Sequence, residues 1–133
     1  MTAPGWMNAV VGDFARSAGF SGLALNERGT AAINFETGVS FRMEYTGSEL
    51  AVAVLTPAPA VAGALQDSLR RLLSLSHPRA RYGFAIRTGY LAKTGSLVLA
   101  VRIAERDVTL PRVNGAFGAL WRLAGEIGGA SWA

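Results

Sequence analysis

After Pro4, Met7, Val10, Val11, Phe14 and Ala18 recur at the spacing of one helical face. Pro4 suits the first turn of a helix, and Gly19 supplies a left-handed stop. The period then changes to two. Ala31, Ile33 and Phe35 alternate with Asn34 and Glu36, Thr37-Gly38 makes a turn, and Val39, Phe41, Met43 and Tyr45 alternate with Ser40, Arg42 and Glu44. Thr46-Gly47-Ser48 turns the chain again before the more continuously apolar run Leu50 to Leu55. Short polar spacers between alternating runs predict antiparallel hairpins, here a three-stranded meander.

Thr56-Pro57-Ala58-Pro59 ends the meander and opens a second helix, with Val61, Leu65, Leu69, Leu72 and Leu73 apolar and Asp67, Arg70 and Arg71 opposite. His77-Pro78 closes it, because the residue before proline disfavours the helical region. Tyr82, Phe84 and Ile86 alternate, a turn at Lys93-Thr94-Gly95 follows, and Leu97, Leu99, Val101 and Ile103 form the return strand. Val113, Phe117, Leu120, Trp121, Ala124 and Ile127 mark a last helix that Gly128-Gly129 ends. The expected fold is one α+β domain over residues 1–133, an antiparallel sheet with the order α-β-β-β-α-β-β-α.

Composition removes most enzyme classes. A chain of 133 residues, half of them hydrophobic, can bury a core without disulfides. The absence of Cys excludes thiol catalysis and Cys-based zinc sites, and a single His77 leaves no His-rich metal site or Ser-His-Asp triad. His77 reads as a helix-end residue or, functionally, as a pH switch. The Lys93-Thr94 pair lacks the glycine order of a phosphate loop, and Gly125 to Gly129 close a helix where an anion site needs one to open. The carboxylates occupy polar faces and turns beside arginines. No catalytic, cofactor-binding or metal residue is expected, and no cofactor. No apolar run is long enough to span a membrane, and the N-terminus lacks a secretory signal pattern, so a cytosolic protein is expected.

The formal net charge is +4, and Lys93 is the single lysine among thirteen basic residues. The arginines are scattered apart from Arg70-Arg71 and Arg79-x-Arg81, without interleaved aromatics, so nucleic-acid binding is not expected. Trp6, Phe20 and Trp132 stand near element ends, as packing caps or as binding anchors. The third strand is apolar on both alternations, more than one helical layer covers, and uncovered apolar surface marks an interface.

The element order, the leucine-rich second helix ending in Leu72-Leu73, the segment from Tyr82 to Leu91, the strand Leu97 to Val101 and Trp121 in the last helix together resemble the class I type III secretion chaperones, the Tir chaperone (CesT-like) family of Gram-negative bacteria. Ser74-Leu75-Ser76-His77 departs from the Asn that the family often carries after its paired leucines, and the basic charge departs from its many acidic members. The resemblance implies a cytoplasmic, non-enzymatic homodimer. It would hold the N-terminal region of a secreted effector as an extended chain, use no nucleotide, and have the secretion-system ATPase as a further partner. By position, Val10, Phe14, Ile33, Phe35, Phe41 and Met43 are expected to form the effector groove, and Leu69, Leu72, Leu73, Phe84 and Ile86 the dimer contact, each of them also a candidate for the protomer's core. The other readings of the same pattern are a small α+β adaptor and, further off, a nucleic-acid-binding regulator, whose affinity would fall steeply with salt.

Overall fold

A computed structural model describes residues 1–75 and 84–127. The elements are α1 (Gly5–Ala18), β1 (Thr30–Asn34), β2 (Ser40–Tyr45), β3 (Glu49–Pro57), α2 (Ala62–Leu75), β4 (Ile86–Leu91), β5 (Ser96–Ala104) and α3 (Leu110–Ile127), with a short 3-10 turn at Glu105–Asp107. All strand pairs are antiparallel, and the strands lie side by side in the order β1-β2-β3-β5-β4. This is the α+β order that the hydrophobic periodicity predicts.

Alternation decides which side of the sheet is covered. Phe41, Met43 and Tyr45 of β2, Leu50, Val52 and Val54 of β3, and Leu97, Leu99, Val101 and Ile103 of β5 share one face and are buried. Onto them pack Met7, Val11 and Phe14 of α1 and Val113, Ala116, Leu120 and Leu123 of α3, in one continuous core. The opposite face carries Arg42, Glu44, Ala51, Ala53, Val98, Ala100 and Arg102.

The second helix sits differently from the others. It packs against β4 and the C-terminal end of α3, where Ser68 Oγ donates to the Ile127 carbonyl at 2.7 Å and Arg71 donates to the Glu126 carbonyl at 3.3 Å. Leu72 is buried, but its neighbour Leu73 is 71% exposed, and so is Val61, which precedes the helix. Residues adjacent in sequence point about 100° apart on a helix, so a single contact stripe cannot take both Leu72 and Leu73.

Three boundaries differ from the sequence expectation. Phe84 precedes β4 and instead lies under the Arg112 guanidinium, 4.3 Å from the ring centroid. Phe35 and Val39 flank the β1–β2 turn and are joined by a hydrogen bond from the Phe35 amide to the Val39 carbonyl at 2.8 Å. The last helix starts at Leu110, with Pro111 in its first turn, where a missing amide is cheap. The expectations at Ser76, His77-Pro78, Tyr82, Gly128-Gly129 and Trp132 lie outside the described residues.

Candidate functional site

The end of α1 shapes the site. Gly19 adopts φ 78°, its amide bonds to the Arg16 carbonyl at 3.3 Å, and the Phe20 amide reaches back to the Ala15 carbonyl at 2.8 Å. This is the Schellman pair of bonds, which turns the residue after the stop back onto the helix. Phe20 accordingly meets Phe14 edge-on, with centroids 6.0 Å apart. The turn after β1 brings Phe35 to the same place, 5.9 Å from Phe20 and 5.1 Å from Trp121. From α3, Phe117 and Trp121 stand one helical turn apart, and Phe117 packs on Phe14, Phe20 and Phe41.

Six rings thus form one cluster with a buried floor and an open rim. Phe14 and Phe41 have no exposed surface, while Phe20, Phe35, Phe117 and Trp121 are half-buried. Tilted and edge-to-face contacts of this kind add about 0.5–1.5 kcal/mol per pair beyond burial, so the rim is held by the floor. Beside Phe20 opens a surface cleft of about 390 Å³ lined by Gly12, Ala15, Arg16, Gly19 and Leu23.

The cluster adjoins the outer edge of β1. The Tyr45 amide bonds to the Gly29 carbonyl, and the Phe35 amide to the Val39 carbonyl. Odd-numbered residues of β1 therefore bond inward, and Ala32 and Asn34 turn their amides and carbonyls to the edge. Thr30 is already occupied: Asn26 Oδ1 accepts from its amide at 3.1 Å, and the Asn26 amide donates to its carbonyl at 2.9 Å. Asn26 closes one end of the edge and leaves the end nearest the aromatic rim open.

Of the residues expected in the groove, Phe14, Phe41 and Met43 lie fully in the protomer's core, with Phe14 and Phe41 forming the floor. Val10, Ile33 and Phe35 keep exposed surface. Of those expected in a dimer contact, Leu72 and Ile86 are buried within the protomer, Leu69 and Phe84 are half-buried, and Leu73 is open. Phe117 and Trp121, half of the rim, read in sequence as an ordinary core stripe. Their signal was the aromatic pair four residues apart, combined with an aromatic just after the α1 stop.

Among the described residues, no three His, Asp or Glu side chains converge as metal ligands. Among the described residues, Asp13–Arg16, Asp67–Arg70 and Glu49–Arg102 form ion pairs, each between exposed side chains. Tyr45 donates to the Gly47 carbonyl at 3.1 Å and to Glu105 Oε1 at 3.2 Å. Burial, then the Glu105 carboxylate, raises the phenol above its ordinary 10.0. A raised folded value favours the neutral phenol, so its contribution to stability is complete below pH 10 and is lost as pH rises through the folded value. Urea midpoints should fall above pH 10 in the wild type, and less steeply in Tyr45→Phe; equal slopes would contradict the linkage.

This fold is shared with proteins of bacterial type III secretion. The chain matches the family model of the type III secretory system chaperone SycN over residues 6–128, and so belongs to that family, which is one of chaperones rather than catalysts. Among solved structures it is similar to one in the ExsC–ExsE complex, at 22% identity and TM-score 0.75, covering 98% of this chain and 100% of that one. It is also similar to one in the HopA1–SchA chaperone–effector complex, at 16% identity and TM-score 0.66, covering 90% of each chain. A third likeness is to a chain in the complex of the Yersinia pestis chaperone SycH with a fragment of YscM2, at 16% identity and TM-score 0.66, covering 91% of this chain and 98% of that one. No curated protein matches the chain by sequence. No helix among the described residues is long and apolar enough to cross a membrane.

Proposed function

We propose that the chain is a cytoplasmic chaperone of the class I kind, which binds the N-terminal region of a type III secreted effector as a homodimer and keeps it extended for export. The observation that carries this reading is the half-buried rim of Phe20, Phe35, Phe117 and Trp121 beside a strand edge with open main-chain groups. An extended segment gains affinity from main-chain bonds to Ala32 and Asn34, and selectivity from apolar side chains seated against the rim. The ordering entropy of such a segment requires a long, largely apolar contact, which suits rings already fixed by a packed floor. The named partners of the similar structures, an effector in one complex and a fragment of YscM2 held by a type III secretion chaperone in another, support the same kind of client. Val10, Ile33 and Phe35 are the groove positions with surface to offer. The tagged chain, purified from a bacterium that runs a type III system, should carry a secreted protein bound through its N-terminal segment, in a complex that survives moderate salt. Recovery of nucleic acid in a salt-labile complex would contradict it.

The dimer contact is proposed on α2, whose Leu73 is a large apolar side chain left open. Symmetric pairing of this face removes it from water. Light scattering should give about twice the 14.0 kDa of one chain. Leu73→Arg should give the single-chain mass with an unchanged far-ultraviolet spectrum, because its side chain supports nothing inside the protomer. A wild type of single-chain mass would contradict the proposal.

A further inference from the structure

The sheet face turned away from α1 and α3 is built across all five strands by one row of facing residues: Ala32, Arg42, Ala53, Ala100 and Arg87. The neighbouring rows add Glu44, Ala51 and Arg102 on one side, and Ser40, Leu55, Val98 and Gly89 on the other. An open antiparallel face ordinarily alternates to polar residues. Here the two central strands of the row carry alanine, flanked by Arg42 on β2 and Arg87 on β4. Arg42 and Arg87 are exposed, and neither is in any ion pair among the described residues, whereas Arg102 on the same face is paired with Glu49 at 3.8 Å. All nine side-chain carboxylates of the protein lie within the described residues, so the chain has no other acidic side chain to offer them.

The spacing sets the shape of what fits. Arg42 and Arg87 are three strand intervals apart, about 14 Å at about 4.8 Å per interval. An extended peptide rises about 3.4 Å per residue and turns residues i, i+2 and i+4 to the same side, so acids at i and i+4 also stand about 14 Å apart, with residue i+2 over the alanines. The geometry points to a second docking surface on this face, for an extended acidic segment that crosses the strands with Asp or Glu at i and i+4 and a small residue between them. This deepens the chaperone reading and rests on it: the segment belongs to the same client, and the protein's unusual positive charge selects for it.

The test uses the full chain labelled with nitrogen-15 and a synthetic peptide of four Asp-Gly-Ala-Gly repeats. The amides of Arg42, Ala53, Ala100 and Arg87 should shift on titration, with affinity falling on the order of tenfold between about 20 and about 300 mM salt. Arg42→Glu and Arg87→Glu should each weaken binding roughly threefold to tenfold. The double variant should instead bind a Lys-Gly-Ala-Gly peptide that the wild type ignores. Equal binding of an Asp-Gly-Ala repeat, whose successive acids face opposite sides, would overturn the proposal, as would shifts confined to other surfaces. A change of molecular mass in the double variant would overturn it too, by giving the face to a second copy of the chain. The probe has no aromatic residue, so its failure leaves the rim of Phe20, Phe35, Phe117 and Trp121 untouched. Undiminished client binding on changing Phe35, with the acidic peptide still bound, would fail the reading of the rim alone.

Discussion

Phe35→Asp is expected to cut affinity for the client segment by roughly 30-fold or more, with the protein still folded. Phe35 lies just after β1, on the turn whose other wall is Val39, with its ring against Trp121 and Phe20 and one side open. Truncating an aromatic anchor at the centre of an interface costs about 2–4 kcal/mol, and a charge placed there adds the penalty of desolvating it. A position beside a turn accepts Asp without breaking the strand ladder. Trp121→Ala tests the same aromatic rim from a different element and should weaken binding in the same direction. Calorimetric titration with the captured client's N-terminal segment measures both. Full affinity in both variants, with intact circular dichroism, would remove the rim from the binding surface.

The other large effect concerns stability. Phe14→Ala should cost about 3–5 kcal/mol, because Phe14 is completely buried and touches Phe20, Phe41 and Phe117 at once. Domains of this size are stable by about 5–15 kcal/mol, so the loss should appear as a melting temperature lower by roughly 10–20 °C. The rim rests on this ring, so client binding should weaken as well. A change of less than about 1 kcal/mol would mean that the space under the rim is loosely filled.

The two predictions separate residues that the sequence places together. Phe14, Phe35, Phe41 and Met43 are all groove positions on the family resemblance and core candidates on periodicity, each on an apolar face of α1 or the meander. Periodicity names the face for the first two strands of the meander, while the third is apolar on both alternations and takes its face from the register with its neighbours. Periodicity is silent on depth. Whether a ring on that face becomes floor or rim depends on how far α3 reaches toward the β1 edge, a contact between segments about eighty residues apart. Phe117 and Trp121 show the converse: their helical spacing is that of a core stripe, and only the position of α3 at the margin of the sheet leaves one side of each open. In α2, Leu72 and Leu73 look alike as a leucine pair, yet the helix packs through a single narrow stripe and turns only Leu72 inward. Asn26 carries no sequence signal at all, because its effect on the β1 edge depends on the loop folding back to Thr30.

Arg42 is legible in the sequence as a polar position alternating with buried ones, and Arg87 only as one of the scattered arginines. Their alignment across Ala53 and Ala100 follows from the register of three strand pairs, which hairpin turns alone do not specify.

The central claim is that the aromatic rim and the β1 edge beside it hold the N-terminal segment of a secreted protein in extended form. Its most direct test places a photo-crosslinking phenylalanine derivative at position 35, where the native residue is already aromatic, and irradiates cells that run a type III system. Mass spectrometry of the adduct should show crosslinks to the first tens of residues of a secreted protein, at apolar positions spaced two apart as in a strand. Crosslinks to a second copy of this chain, or to a segment buried inside a folded client domain, would contradict the account.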